Sequence, residues 1–544
     1  MFTRLFVAAF VLGSLSQLAI AATPPSEAAA QVEQLLADEV YKGATSKLAP
    51  LVNDEVFLRR VSLDLIGEMP TPEEVTAFAL DPAKDKRVKI VDKLLADSRF
   101  GDNWARYWRD VIFYRRTEDR ALVTSFAFTE WCAAELNKNT TWDKIATQLI
   151  TATGSIYDEG RTALINAQQA RPEETTAEVA RIFMGIQIQC AQCHDHPTDR
   201  WKREQFHELA AFFPRMALRP TEPMNQRSFQ VVSDDSTFRF RAKNNDNRFR
   251  GDPEHFMPDL KNPTSEGKKM TPVFFATGQS LPLGKSDQDR RGTLAKWLTA
   301  KENPWFAKAY VNRIWAELVG EGFYEPIDDL GPDRTCSAPK TLDYLAGAFY
   351  DSGYDTKWLY RTICATQLYQ RESRARRNAT ETPFLANASQ RLRGDQLYTS
   401  LLTVLGVNEQ AMNRYRPGGG DGAGRYFGRD PRFIFNFVFG YDPSVPRDEV
   451  SSSIPQALAM MNAPNLNNGI NARNTSYGLG KLLTQIKDDK GLATELYLRI
   501  LAREPNEKEL ATCLLYVKQV NNRNEAFEDI TWALVNSAEF LHRR

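Results

Sequence analysis

The chain lacks an excess of either charge: 69 Lys+Arg stand against 69 Asp+Glu, and the formal net charge at pH 7 is zero. Proteins that hold nucleic acid through bulk electrostatics carry a basic surplus, so no nucleic-acid partner is expected. Cysteine is scarce. Six in 544 residues are too few for a disulfide scaffold at this length. Histidine is scarcer still, at five. A hydrophobic share of 42% beside 25% charged residues excludes both a polytopic membrane protein and a disordered acidic chain. No internal repeat of 20–50 residues is present, which removes the solenoid and propeller architectures. The remaining class is an ordinary globular protein, long enough for roughly two to four domains.

What is present begins with an address. Residues 1–21 (MFTRLFVAAFVLGSLSQLAIA) place Arg4 before an uncharged apolar run and end in Ala19-Ile20-Ala21, an A-x-A cleavage pattern. This is the pattern of a secretory signal peptide. A retained membrane anchor is the competing reading. Gly13, Ser14, Ser16 and Gln17 dilute the run, however, and Pro24-Pro25 follow at once. The expectation is an exported protein, in the periplasm, outside the cell or at its surface, with no transmembrane segment once the signal is cleaved.

Hydrophobic periodicity predicts a mainly α fold: two helical domains joined by a small β-rich insertion. Residues 28–219 read as the first domain. They contain DEVFLRRVSLDL (Asp54–Leu65), a helix start at Thr71-Pro72-Glu73-Glu74, and NWARYWRDVIFY, whose Trp104, Trp108, Val111 and Ile112 share one face. A further helix is predicted from Thr175 to about Ile188. Residues 220–285 change texture: Ser228–Val232 and Thr237–Arg241 alternate around Asp234-Asp235-Ser236, a hairpin signal, and Pro272–Ala276 reads as one more strand. Residues 286–544 are helical again, with a helix opening at Asn303-Pro304-Trp305 and stopping near Gly320. The Gly-rich stretch Pro417–Gly428 has no phosphate-loop spacing and reads as a loop.

One run carries chemistry: Cys190-Ala-Gln-Cys193-His194-Asp195-His196-Pro197. C-x-x-C-H is the attachment pattern of c-type haem, in which two thiols bind one porphyrin edge and the adjacent imidazole ligates the iron. With six Cys and five His in 544 residues, chance supplies such a pattern on the order of 10⁻³ times. Cys190, Cys193 and His194 are therefore the candidate haem residues, with His194 the proximal iron ligand. For the opposite axial position His207, His255, Met216, Met224 and Met257 are the candidates, and a solvent-ligated iron is the alternative. Other readings stay open. Cys190 and Cys193 with His194, His196 or His207 have the composition of a tetrahedral zinc site, or the two thiols form a disulfide. Asp195 and Asp199 flank the run as candidates to orient a histidine N–H. The buried-thiol reading suits Cys132, Cys364 and Cys513. Asp328-Asp329 reads as a polar turn, with calcium binding as the alternative. No Ser-His-Asp order or carboxylate pair singles out a hydrolase.

Several separated blocks also resemble a known arrangement. RRVSLDLIGEMPTPEEV (Arg59–Val75), RVKIVDKLLADSRFGDNWARYWRDV (Arg87–Val111), AEVARIFMGIQIQCAQCHDHPTDRW (Ala177–Trp201) and FHELAAFF (Phe206–Phe213) resemble the cytochrome-like domain of secreted planctomycete proteins. The segments Arg290–Gly331 and SSSIPQALAMMN (Ser451–Asn462) resemble the planctomycete-specific domain that follows it. Both domains are of unknown function. The resemblance implies Cys190, Cys193 and His194 as haem attachment and ligation, and implies no catalytic residue. Thr198 stands where the family pattern places an aromatic, a departure expected to loosen packing beside the site. Electron transfer, or service as a redox subunit with a redox partner protein, is the expected function. A cell-surface scaffold with a zinc or disulfide knot, partnered by a cell-surface component, is the alternative.

Overall fold

A computed structural model of the chain describes residues 22–222, 225–236, 253–376, 378, 380–407, 431–446, 453–462 and 464–544. Residues 1–21, where a signal peptide is expected, Met224, Thr237–Arg241 and Pro417–Gly428 lie outside the described residues. The fold is mainly α, and the sheets among the described residues are small, of two or three strands.

Local chemistry sets the helix ends much as the sequence predicts. Asn53 accepts from the Val56 N–H and opens the Asp54–Ile66 helix, which stops at Gly67 in the left-handed region (φ 70°). Thr71 and Glu74 form a reciprocal capping box around Pro72. The predicted start at Asn303 falls short: the helix begins at Phe306, because the Asn303 carboxamide accepts from the Trp305 N–H and makes a turn first. Gly320 stops that helix as expected, at φ 90°.

One continuous hydrophobic cluster runs from Ala28 to Phe540 and takes residues from both helical halves. The predicted face of the Arg99–Phe113 helix lies inside it, with Trp104, Trp108, Val111 and Ile112 all buried. An aromatic chain then crosses between the halves. Trp108 meets Trp142 at 4.4 Å, Trp142 meets Tyr310 at 4.5 Å, and Tyr310 stacks on Phe349 at 5.1 Å. Cys132, Cys364 and Cys513 are buried free thiols.

The Asp54–Ile66 helix is enclosed over its whole length from Phe57 onward, charged residues included. Those charges hold the far end of the chain. Arg59 donates to the Glu539 and His542 carbonyls, and Arg60 donates to the carbonyls of Tyr369, Arg371 and Arg544. Asp64 accepts from the Tyr369 hydroxyl at 2.8 Å and from Arg543 Nε at 2.6 Å. Arg543 also donates to the Leu318 carbonyl and the Asn387 carboxamide oxygen.

The β-rich junction is tied into the helical body. Asn225–Ser233 is the central strand of a three-stranded antiparallel sheet, between Met216–Glu222 and Gly154–Ser155. The hairpin signal thus gave the strand but not its described partners, which come from upstream segments that alternation alone does not mark. Val273–Phe274 pairs with Gln279–Ser280, within the predicted Pro272–Ala276 strand region. Arg290 joins the Glu254 carboxylate at 2.5 Å to the Ala211 carbonyl at 2.7 Å, and Arg291 donates to the Ile150 and Ala152 carbonyls. Among the described residues no helix is long and apolar enough to cross a membrane.

Replacing one partner of a buried ion pair leaves the other charge uncompensated, at about 3–5 kcal/mol. Arg543→Met is expected to lower the unfolding free energy by that order. Because both halves share one core, the loss should appear as one displaced transition in urea followed by circular dichroism. A loss below about 1 kcal/mol would show that the Asp64 carboxylate does not depend on Arg543.

Candidate functional site

The segment that carries the cysteines begins where a helix is stopped. Gly185 ends the Pro172–Met184 helix at φ 63°, four residues before the predicted end, and its carbonyl accepts from the Leu330 N–H at 2.6 Å. A side chain there would press on Leu330, since a Cβ would lie 2.8 Å from its methyl. Ile186 and Ile188 then bury themselves, and Gln189–Gln192 forms one 3₁₀ turn. Side chains three apart eclipse in a 3₁₀ turn. Ile188 and Ala191 take the inward face, so Cys190 and Cys193 share an outward one, both exposed and both free thiols.

His194 follows, exposed, with Nδ1 at 2.7 Å from the Asp195 carbonyl. A carbonyl only accepts, so Nδ1 carries the proton and Nε2 presents its lone pair outward. His196 is arranged the other way, its Nδ1 accepting the Thr198 N–H at 3.3 Å. The adjoining loop closes through the His196 N–H on the Trp201 carbonyl at 2.8 Å, and Trp201 packs on Phe275 and Trp305. Thr198 is part of that closure: its carbonyl and hydroxyl each accept from Arg334 at 3.1 Å. Both are charge-assisted hydrogen bonds, and they tie Thr198 to the Arg334 segment.

His207 and His255 are brought together beneath the turn. His207 Nε2 donates to the Gln192 carbonyl at 3.0 Å, between the two cysteines, and its Nδ1 lies 2.9 Å from His255 Nε2. The carbonyl fixes the tautomers: His207 protonated at Nε2, His255 donating from Nε2, and His255 Nδ1 bare. Glu173 lies 3.9 Å from that nitrogen, beyond hydrogen-bond reach. Burial pushes both imidazoles down to about 4, aided at His207 by its neighbour His255. Both nitrogens of His207 are thereby committed within the protein. Met216 is buried at the start of its strand, and Met257 sits in the short Phe256–Met257 strand.

Neither flanking carboxylate orients a histidine. Asp195 accepts the Arg203 N–H at 3.0 Å, at the start of the Arg203–Ala210 helix, and the Lys202 ammonium at 2.9 Å; these two contacts hold it below the usual carboxylate range. The Asp199 carboxylate accepts the Arg200 N–H and occupies the space over Gly331, where a Cβ would lie 1.6 Å from its Oδ2. His194 is instead oriented by a backbone carbonyl. Among the described residues no group of three or more His, Cys, Asp or Glu side chains is gathered as a metal cage.

Residues 31–217 match the family model PSCyt2, described as a protein of unknown function (DUF1549), and residues 290–417 match PSD1, described as a protein of unknown function (DUF1553). The chain joins two domains of unknown function. The PSCyt2 match contains the whole C-x-x-C-H loop together with His207, and the PSD1 match contains Arg290 through Gly331, whereas Ser451–Asn462 lies beyond it. No curated protein and no solved structure matches the chain.

The PSCyt2 and PSD1 segments meet in a charge network that sequence reasoning missed. Asp328, read as part of a polar turn or a calcium ligand, is fully buried and faces cations. Its Oδ2 lies 2.6 Å from the Ser444 hydroxyl, 3.3 Å from Arg181 and 3.7 Å from Arg313, and its Oδ1 accepts the Gln187 carboxamide at 2.8 Å. Burial opposes its charge, but the Arg181 and Arg313 guanidiniums outweigh burial and hold it below the usual range. Calcium has no place between guanidiniums. Arg181 also grips Glu178 at 2.6 Å on the same helix and donates to the Val111 carbonyl. The available signal was this i,i+3 charge pair on a helix buried at every position from Thr175 to Met184.

Neutral buried histidines destabilise a protein as acid charges them in the unfolded chain first. Between pH 6.5 and 4 the unfolded state binds more protons, so stability should fall as pH drops across that window and level off below it, by ~3 kcal/mol for each histidine. His207→Gln, whose amide still reaches the Gln192 carbonyl, should flatten that slope in urea titrations at stepped pH. An unchanged slope would place the proton uptake elsewhere.

Proposed function

We propose that this protein is an exported carrier of one covalently bound c-type haem, working in electron transfer or as a redox subunit. The observation that supports the reading is the pair of exposed thiols on one face of a 3₁₀ turn, followed by an imidazole whose Nδ1–H is spent on a carbonyl. Cys190 and Cys193 would hold the porphyrin, each thiol adding its sulfur and hydrogen across one vinyl group with nothing lost. His194 would ligate the iron through Nε2, its tautomer and ring orientation fixed by the Nδ1–H···O=C bond. When bound, the haem supplies a one-electron couple. The polypeptide's part is to hold the loop still. Ile188 and Ala191 anchor it from below, His207 fixes the Gln192 carbonyl, and Arg203 donates to the same carbonyl at 3.3 Å. His207 and His255 are engaged with each other, which removes His207 as a second axial ligand unless the pair separates. Export suits this chemistry, since the thiols would otherwise oxidise outside the cytoplasm. A redox partner protein is the expected companion.

The full-length protein expressed with haem-maturation machinery should carry a Soret band that survives denaturation, with one haem per chain. Cys190→Ser or Cys193→Ser should weaken covalent retention, and His194→Ala should change the spectrum more than the folding free energy. A colourless protein with both thiols oxidised to a disulfide, or with stoichiometric zinc, would overturn the haem reading in favour of a scaffold or binding module.

A further inference from the structure

A second polar cleft lies away from the C-x-x-C-H loop and shares no residue with it. Its volume is about 290 Å³, at the small end for ligand pockets. Four segments build it. Ile66 and Glu68 come from the end of the Asp54–Ile66 helix and the turn after it, and Arg99, Asp102 and Arg106 from one face of the Arg99–Phe113 helix. The Gly394–Val404 helix adds Thr399 and Thr403, and the Pro431–Phe439 helix adds Arg432.

The cations in this cleft are unequally served. Arg99 is paired with Glu68 at 2.6 Å and with Asp97 at 2.7 Å. Arg432 donates to the Thr399 hydroxyl at 2.9 Å and lies over the Tyr398 ring. Arg106 has no hydrogen-bond or ion-pair partner among the described residues, and its side chain is half-buried. Burial and the neighbouring Arg432 both push its affinity for the proton down, and Asp395 and Asp102 only partly offset this. A half-buried guanidinium lining a cleft with a second one is repelled by it, because like charges near a low-dielectric wall are poorly screened. A dianion between them would reverse the sign of that interaction. It would give Arg106 the forked, charge-assisted hydrogen bonds it lacks, with the Thr399 and Thr403 hydroxyls able to donate as well. Among the described residues the nearby carboxylates do not fill this role: Glu68 is taken by Arg99 and Asp395 by Arg393, and Asp102 is exposed.

We propose that the cleft between the Arg99–Phe113, Gly394–Val404 and Pro431–Phe439 helices binds a phosphate group, clamped by Arg106 and Arg432 with Thr403. The ligand is the free ion or a small phosphomonoester.

The test uses the full chain at fixed ionic strength, with chloride exchanged for inorganic phosphate, and reads calorimetric heats and thermal midpoints. Saturable binding and a raised midpoint are expected. Arg106→Gln should weaken phosphate binding at least ~10-fold while leaving the phosphate-free midpoint unchanged or higher, since it removes a repelled cation. That combined outcome separates a ligand site from a structural arginine, whose loss would lower the midpoint. Thr403→Val supplies an independent reading should Arg106→Gln fold poorly, with weaker phosphate binding expected. Tighter binding of glycerol phosphate than of inorganic phosphate would support the site and assign a phosphomonoester; equal binding would support it and assign the free ion. No saturable heat at tens of millimolar phosphate, or equal affinity in wild type, Arg106→Gln and Thr403→Val, would overturn the proposal.

Discussion

Buried guanidinium groups aimed at carboxylates and at backbone carbonyls from distant parts of the chain are the constraint on which this fold depends. Arg59 and Arg60 leave one central helix to hold residues 539–544, and Arg543 returns to Asp64 on the same helix. Removing an ion from water costs several kcal/mol, so such a residue is tolerable only where its hydrogen bonds are met. Arg has five donors in a rigid fork, and here that fork spans carbonyls some 300 to 480 positions away in sequence. The result is a geometric lock: Arg60 is satisfied only when the Tyr369–Arg371 segment and the C-terminus are both in place.

The same logic positions the C-x-x-C-H loop. Arg181 and Asp328 join the helix before the loop to the second matched segment, and Gln187 ties the incoming strand of chain to the same carboxylate. Arg334 and Arg203 then fix the outgoing side at Thr198 and Gln192. The loop is therefore rigid at its base while its thiols and the His194 Nε2 face solvent. Rigidity of the support with exposure of the reactive atoms is what a site receiving a large planar group from outside requires. The neutral His207–His255 pair belongs to this support, and its burial makes the base of the loop acid-sensitive.

Much of the helical layout was legible in the sequence because helix ends are local events. Thr71-Pro72-x-Glu74 caps itself through groups three residues apart, and Gly320 stops a helix wherever it falls in the fold. The spacing of Cys190, Cys193 and His194 was equally local. What escaped was anything decided by a distant partner. Asp328-Asp329 looks like a solvated turn until Arg181 and Arg313 are packed against it, and Asn225–Ser233 gains Gly154–Ser155 as a sheet partner from far upstream of the insertion. His207 and His255 looked like independent ligand candidates, and only packing shows that each is the other's hydrogen-bond partner.

By itself the sequence determined the helical class, the zero net charge, and the close spacing of two thiols and an imidazole. Periodicity, capping and i,i+3 spacing act within a few residues, so they are written where they operate. Tertiary structure alone decided that the two helical halves share one core, which histidine nitrogens are spent, and which charges are buried. It also decided that Arg106, beside Arg432, has no partner among the described residues. Those outcomes depend on which groups meet after the chain has closed on itself, and on how much water is left between them, and neither quantity is a property of any short stretch of sequence.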